Sequence, residues 1–111
     1  MPATEKILLD LYDVIDSRKA ADPETSYTAR LFGKGTQKIA QKFGEESIEA
    51  VVAAVSESQE RLIRESADVL YHLLVLWSAK GVRPSLVWEE LDKRFGTSGL
   101  AVKEARRKNG A

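Results

Sequence analysis

No cysteine occurs in this sequence, which excludes a disulfide framework, a thiolate metal site and a cysteine nucleophile. An excess of charge of either sign is lacking too. Lys and Arg number 17 and so do Asp and Glu, so the formal net charge is zero and no bulk field attracts nucleic acid or an anionic membrane. Neither nucleic acid nor membrane is expected as a partner, and any phosphate binding must come from local clusters of charge. Long apolar runs are missing as well: the most hydrophobic stretch, Val69 to Trp77, is far shorter than the roughly 18 residues that suggest a membrane span. The opening stretch from Met1 to Asp13 has no basic segment followed by a long apolar one, so it does not read as a secretory signal, and a cytoplasmic location is expected. Nowhere do apolar and polar residues alternate between hairpin turns, so no sheet is expected.

What the chain has is helical periodicity. Its 111 residues suit a single domain spanning 1–111, with one core and one site. A first helix should start near Thr4 as N-cap and carry a stripe of Ile7, Leu8, Leu11, Val14 and Ile15, ending at Ala21 to Glu24. Between Ser26 and Thr36, two glycines flank Lys34, which predicts a loop with a short turn whose basic residues are free to face a ligand. A second long helix is expected from Thr36 to about Val55, with Ile39, Phe43, Ile48, Val51, Val52 and Val55 as its apolar positions. Gly44 lies inside it, where glycine costs about 1 kcal/mol relative to alanine, which suggests close packing or local adjustment. A third helix spans roughly Ser58 to Lys80 and is closed by Gly81; a fourth runs from Pro84 to Phe95; a last amphipathic segment covers Leu100 to Lys108. The fold class is therefore all-α, a helical bundle of about four to five helices. Val69, Leu70, Leu73, Leu74, Leu76 and Trp77 cover more of the third helix than one neighbour can bury, which predicts an intertwined homodimer.

The acidic residues carry the chemistry. Glu46 and Glu49 stand three apart and so share a face of the second helix, with Glu45 beside them; Glu65 and Asp68 repeat the spacing on the third. If the two helices form an antiparallel hairpin, four carboxylates face one volume. Such anions repel unless a cation neutralises them, and an all-oxygen site is what a hard ion such as Mg²⁺ selects. An isolated pair of this kind is usually only a solvated helix face. Here, however, Asp68 directly precedes the most apolar run, and Glu45 and Glu46 interrupt a helix that otherwise supplies Ile and Val, so solvation alone resolves the conflict poorly.

Basic residues precede the acidic ones: Arg30, Lys34, Lys38 and Lys42, the last three at four-residue intervals. Lys38, Lys42 and Glu46 should follow one another along one face, placing cations beside the acidic cluster. Metal-binding carboxylates next to lysines suit a polyphosphate. His72, the sole histidine, reads as a core residue, although its position one turn after Asp68 permits a hydrogen bond to that carboxylate. Tyr12, Tyr71, Trp77, Trp88 and Phe95 read as core or dimer contacts. The run from Arg106 to Lys108 reads as a solvated terminus.

Taken together, these residues resemble a known family. Ser26-Tyr27-Thr28 with Leu31-Phe32, then Gly35, Lys38-Ile39, Lys42, Gly44-Glu45-Glu46 and Glu49, and finally Glu65, Asp68 and Tyr71-His72-Leu73-Leu74 are similar to the phosphoribosyl-ATP pyrophosphohydrolase family. The likeness extends from about residue 5 to 108. The broader group of all-α nucleoside-triphosphate pyrophosphatases is marked only by the two acidic pairs. The resemblance implies hydrolysis of the α–β phosphoanhydride of phosphoribosyl-ATP to phosphoribosyl-AMP and pyrophosphate, the second step of histidine biosynthesis, by a dimeric cytoplasmic enzyme using Mg²⁺. It also implies that Glu46, Glu49, Glu65 and Asp68 hold the metal and help orient or deprotonate water, with Glu45 as a further ligand or base. Lys34, Lys38 and Lys42 would stabilise the triphosphate; Arg30 is expected to bind substrate from its place in the basic series. In some relatives this domain is fused to the cyclohydrolase of the next step; these residues carry none, so that activity is expected in another chain. Two rivals stand beside this reading: a pyrophosphatase of the broader group with another nucleotide substrate, and a non-catalytic helical dimer without divalent-ion dependence.

Overall fold

The computed structural model describes residues 3–95 together with 104, 106 and 107. Most of the expected segment from Leu100 to Lys108 lies outside the described residues. The elements are helices α1 (Lys6–Ser17), α2 (Tyr27–Lys34), α3 (Thr36–Ser56), α4 (Gln59–Ala79) and α5 (Pro84–Arg94), with a 3₁₀ turn at Arg18–Ala20; no strand occurs among the described residues. The all-α class is thus observed, with the bounds of α3, α4 and α5 close to those expected. Glu57 and Ser58 alone separate α3 from α4, so the two fold back as a hairpin, the most extensive helix pairing among the described residues. Ser58 caps α4, its side chain accepting from the Arg61 amide, and Gly81 leaves it at φ 70°, which glycine adopts without a Cβ penalty. Pro84 opens α5 in the first turn, where its missing N–H removes nothing the helix uses.

Two expectations change. The Ser26–Thr36 stretch is not a loop: an eight-residue helix forms there because Ser26 accepts a hydrogen bond from the Ala29 amide and because Ala29 and Leu31 are buried. Tertiary burial and the cap together outweigh the low propensity of Gly33, and Gly35, at φ 90°, makes the corner into α3. On α1 the inward stripe is Leu8, Leu11, Tyr12 and Ile15, while Ile7 and Val14 are exposed; the burial of Tyr12 turns the helix about its axis relative to the expected stripe.

The core gathers Tyr12, Ile15, Leu31, Ile39, Leu74 and Val75, drawing on four helices. A polar clamp ties α1 to the end of α4. Tyr12 donates to the Val82 carbonyl at 2.9 Å, Ser78 donates to Asp16 at 2.6 Å, and Lys19 donates to the Ser78 carbonyl at 2.6 Å. Trp77 and Trp88 meet edge to face at 6.0 Å, joining α4 to α5. Phe95, expected as a packing residue, is 87% exposed in the single chain. No helix among the described residues is long and apolar enough to cross a membrane.

Candidate active site

The α3–α4 hairpin brings three carboxylates together. One oxygen each from Glu46, Glu49 and Glu65 lies within 4.8 Å of the others. Glu46 and Glu65 are buried, at 7% and 5% exposure, whereas Glu49 opens to solvent. Two basic side chains already face this group: Lys42 lies 3.4 Å from Glu46, and Arg61 lies 2.9 Å from Glu65. Even so, Glu65 Oε2 is buried with no hydrogen-bond partner among the described residues. A buried carboxylate oxygen without a donor is expensive, and an all-oxygen donor set of this size fits a hard divalent cation.

Asp68 does not join the group. It is exposed on α4, one turn beyond Glu65, and its stem is one methylene shorter than that of glutamate, so the shared helix face does not carry its carboxylate as far. Glu45 also stays outside the cluster and accepts a hydrogen bond from Gln41 at 3.1 Å.

A cleft of about 540 Å³ opens beside the carboxylates, between α2 and α3. From α2 come Tyr27, Leu31 and Lys34, spaced at i, i+4 and i+7 on one face; from α3 come Lys38, Gln41, Lys42 and Glu45. All three expected lysines therefore line one cavity. Arg30 does not, because helical spacing turns it about 100° from Leu31, and its Nε donates to the Pro23 carbonyl at 3.1 Å. The hydrogen bond to Glu46, joined by the nearby negative charge, raises the Lys42 pKa above the usual lysine value, so this cation is fully present at neutral pH. Tyr27, Leu31 and Gln41 received no role from the sequence, although the first two stand in the stretch that carries the family resemblance. The signal that could have placed Tyr27 and Leu31 is the Ser26 cap, which makes the stretch a helix and sets both residues on the face of Lys34; no comparable signal marks Gln41.

His72 is buried, as a core residue should be, but its Nδ1 lies 2.8 Å from the Asp68 backbone carbonyl rather than bonding that residue's carboxylate. The carbonyl one turn back is the fixed acceptor within a helix, while the aspartate side chain turns outward. His72 Nε2 has no partner among the described residues. Tyr71 packs against His72 edge to face at 5.0 Å and shares a 2.5 Å hydrogen bond with Thr28, which joins α4 to α2. Burial pushes the Tyr71 hydroxyl up from its ordinary value.

The sequence model described as phosphoribosyl-ATP pyrophosphohydrolase matches residues 8–95, from α1 to the end of α5. The chain belongs to the phosphoribosyl-ATP pyrophosphohydrolase family. Curated relatives carry the same reading over nearly their full lengths. The phosphoribosyl-ATP pyrophosphatase of Paramagnetospirillum magneticum is 59% identical over 108 residues, covering 97% of this chain and 99% of the relative. That of Rhodospirillum rubrum is 59% identical over 107 residues, covering 96% and 92%. A third, from Trichlorobacter lovleyi, is 50% identical over 107 residues, covering 96% and 99%. The family match encloses both the carboxylate cluster and the lysine-lined cleft.

Proposed function

We propose that the chain hydrolyses the α–β phosphoanhydride of phosphoribosyl-ATP to phosphoribosyl-AMP and pyrophosphate, the second step of histidine biosynthesis, in the cytoplasm. Family membership supports this reading, and one structural observation carries it: a carboxylate cluster with two buried members and a cavity lined by Lys34, Lys38 and Lys42 lie side by side along α3 and its two neighbours, α2 and α4. Lysines attract and orient a polyphosphate.

Glu46, Glu49 and Glu65 would hold Mg²⁺, with Asp68 as the fourth carboxylate after rotation of its side chain, and the orphaned Glu65 Oε2 supports that fit. When bound, the ion neutralises phosphate charge and polarises the phosphoanhydride. The protein's own residues supply the rest. Lys42, tied to Glu46, holds a phosphate oxygen next to the carboxylates, while Lys34 and Lys38 neutralise the phosphates farther along the cleft. Glu45, lining the cleft outside the cluster, accepts the proton of the attacking water. The water oxygen bonds to the α-phosphorus, the bond from that phosphorus to the bridging oxygen breaks, and pyrophosphate departs.

The working form is a homodimer. Ile48, Val51, Val52 and Val55 lie along one side of α3 and are 65%, 61%, 48% and 82% exposed, and a soluble monomer rarely leaves such a stripe uncovered. The radius of gyration, 16.4 Å against about 13 Å for a compact chain of this length, leaves room for a second copy to complete the bundle.

Phosphorus NMR of the reaction tests the chemistry. Phosphoribosyl-ATP should yield phosphoribosyl-AMP and pyrophosphate, with ATP and dUTP turned over far more slowly. Release of orthophosphate, or equal turnover of dUTP, would contradict the assignment.

A further inference from the structure

The lysines account for phosphate, but a nucleotide also presents a flat base, and the cleft holds one group suited to it. Tyr27 is the sole aromatic among the residues that line the cavity, and it is 49% exposed there. Most aromatic side chains so exposed are free to swing; this one is backed. Its ring lies against Tyr71 at a centroid distance of 6.4 Å and an interplanar angle of 25°. Tyr71 is in turn fixed by its hydrogen bond to Thr28 and by the edge of buried His72. A ring leaning at a shallow angle on a fixed neighbour, with its remaining surface open to a cavity, is a preformed stacking surface that loses little conformational entropy on binding.

The layout of the cleft agrees. Lys34 and Lys38 flank the Gly35 corner, while Tyr27 sits seven residues before Lys34, about 10 Å away along α2. Lys34 and Lys38 are therefore separated from the aromatic surface along one cavity, while Lys42, beside the carboxylates, lies within electrostatic reach of Tyr27, so a phosphate chain on the lysines leaves the ring end for a base. Leu31 lies between them and Gln41 faces them from α3, offering an amide.

We propose that Tyr27 is the stacking surface for the purine base of the substrate, and that the Tyr71–Thr28 pair positions it. This rests on the nucleotide-hydrolase reading above, and the following test separates the two by measuring binding rather than turnover. Calorimetric affinities for ATP and for inorganic tripolyphosphate, which shares the phosphates and lacks the base, are compared in the wild type, Tyr27→Phe and Tyr27→Leu.

Tyr27→Leu should weaken ATP roughly 10- to 100-fold, the usual size of a lost base–aromatic stack, while tripolyphosphate changes less than about two-fold and Tyr27→Phe behaves as wild type. With phosphoribosyl-ATP as substrate, the loss should fall on KM more than on kcat. Parallel weakening of ATP and tripolyphosphate, no weakening of either, or a Phe variant as poor as Leu would each overturn the proposal. Failure of the wild type to hydrolyse phosphoribosyl-ATP would instead overturn the proposed function and leave the base-selective loss to stand or fall on its own.

Discussion

The two halves of α3 are built for different neighbours. From Lys38 to Glu46 the helix turns lysines into a cleft and buries a carboxylate; from Ile48 to Val55 it presents aliphatic side chains to the outside. Each half breaks an ordinary rule of burial, in opposite senses. Exposed lysines alone would signify nothing, nor would a single exposed valine. A buried Glu46 beside exposed Val51 and Val55 means that one helix gives up single-chain stability along both of its halves, which the proposed ligand and the proposed second copy would each restore.

The comparison can be broken most forcefully on the polar half. Glu65→Ala, which removes the carboxylate with the orphaned oxygen, should lower kcat/KM by at least about 100-fold, since even the supporting partners of metal ligands are worth 10- to 100-fold. The fold should persist by circular dichroism. Asp68→Ala sharpens the point: a comparable loss would make it the fourth ligand, and full activity would restrict the set to the three clustered glutamates.

On the apolar half, Val52→Asp combined with Val55→Asp should convert the dimer to monomer in sedimentation, because charges buried in such an interface cost several kcal/mol, on the order of 100-fold or more in affinity. An unchanged dimer would place the interface elsewhere.

Smaller changes grade the contrast. Lys38→Glu should raise KM about ten-fold with kcat less affected, a change of about 1.4 kcal/mol; unaltered kinetics would remove Lys38 from phosphate binding. Gly44→Ala should stabilise α3 by about 0.5–1 kcal/mol, measured by urea denaturation, because an added Cβ there meets nothing within 4 Å. The close packing that a mid-helix glycine suggests is thus absent among the described residues, and lost activity in that variant would show the space to be filled in the working enzyme.

The α1–α4 clamp gives the weakest effect. The hydrogen bond from Ser78, and then the one from Lys19, holds the Asp16 carboxyl below its ordinary value. A depressed folded pKa stabilises above the unfolded value, about 3.9, and that stabilisation is lost as pH falls through the lower folded value. Asp16→Asn should therefore cost no more than about 1 kcal/mol at pH 7, given its solvent exposure, and the gap from wild type should close below about pH 4.

Much of this was legible in the sequence because long amphipathic helices write their period plainly. The bounds of α3 to α5 came from apolar spacing, Gly81 and Pro84, and the meeting of Glu46 and Glu49 with Glu65 came from the hairpin geometry. The α2 helix stayed hidden because two glycines mask a segment held by one cap and two buried side chains. That Arg30 turns toward the Pro23 carbonyl stayed hidden for the same reason, since its direction follows from the helix and not from its order in the chain. Asp68 and His72 turn on side-chain reach and on competition between a carboxylate and a backbone carbonyl, which residue spacing does not encode.

The central claim is that the buried carboxylates work through a divalent ion to release pyrophosphate, and metal dependence tests it most directly. Pyrophosphate release from phosphoribosyl-ATP should vanish in chelator, return on adding Mg²⁺, and fail to return in Glu65→Ala at the same Mg²⁺ concentration. Undiminished release in chelator would contradict the account.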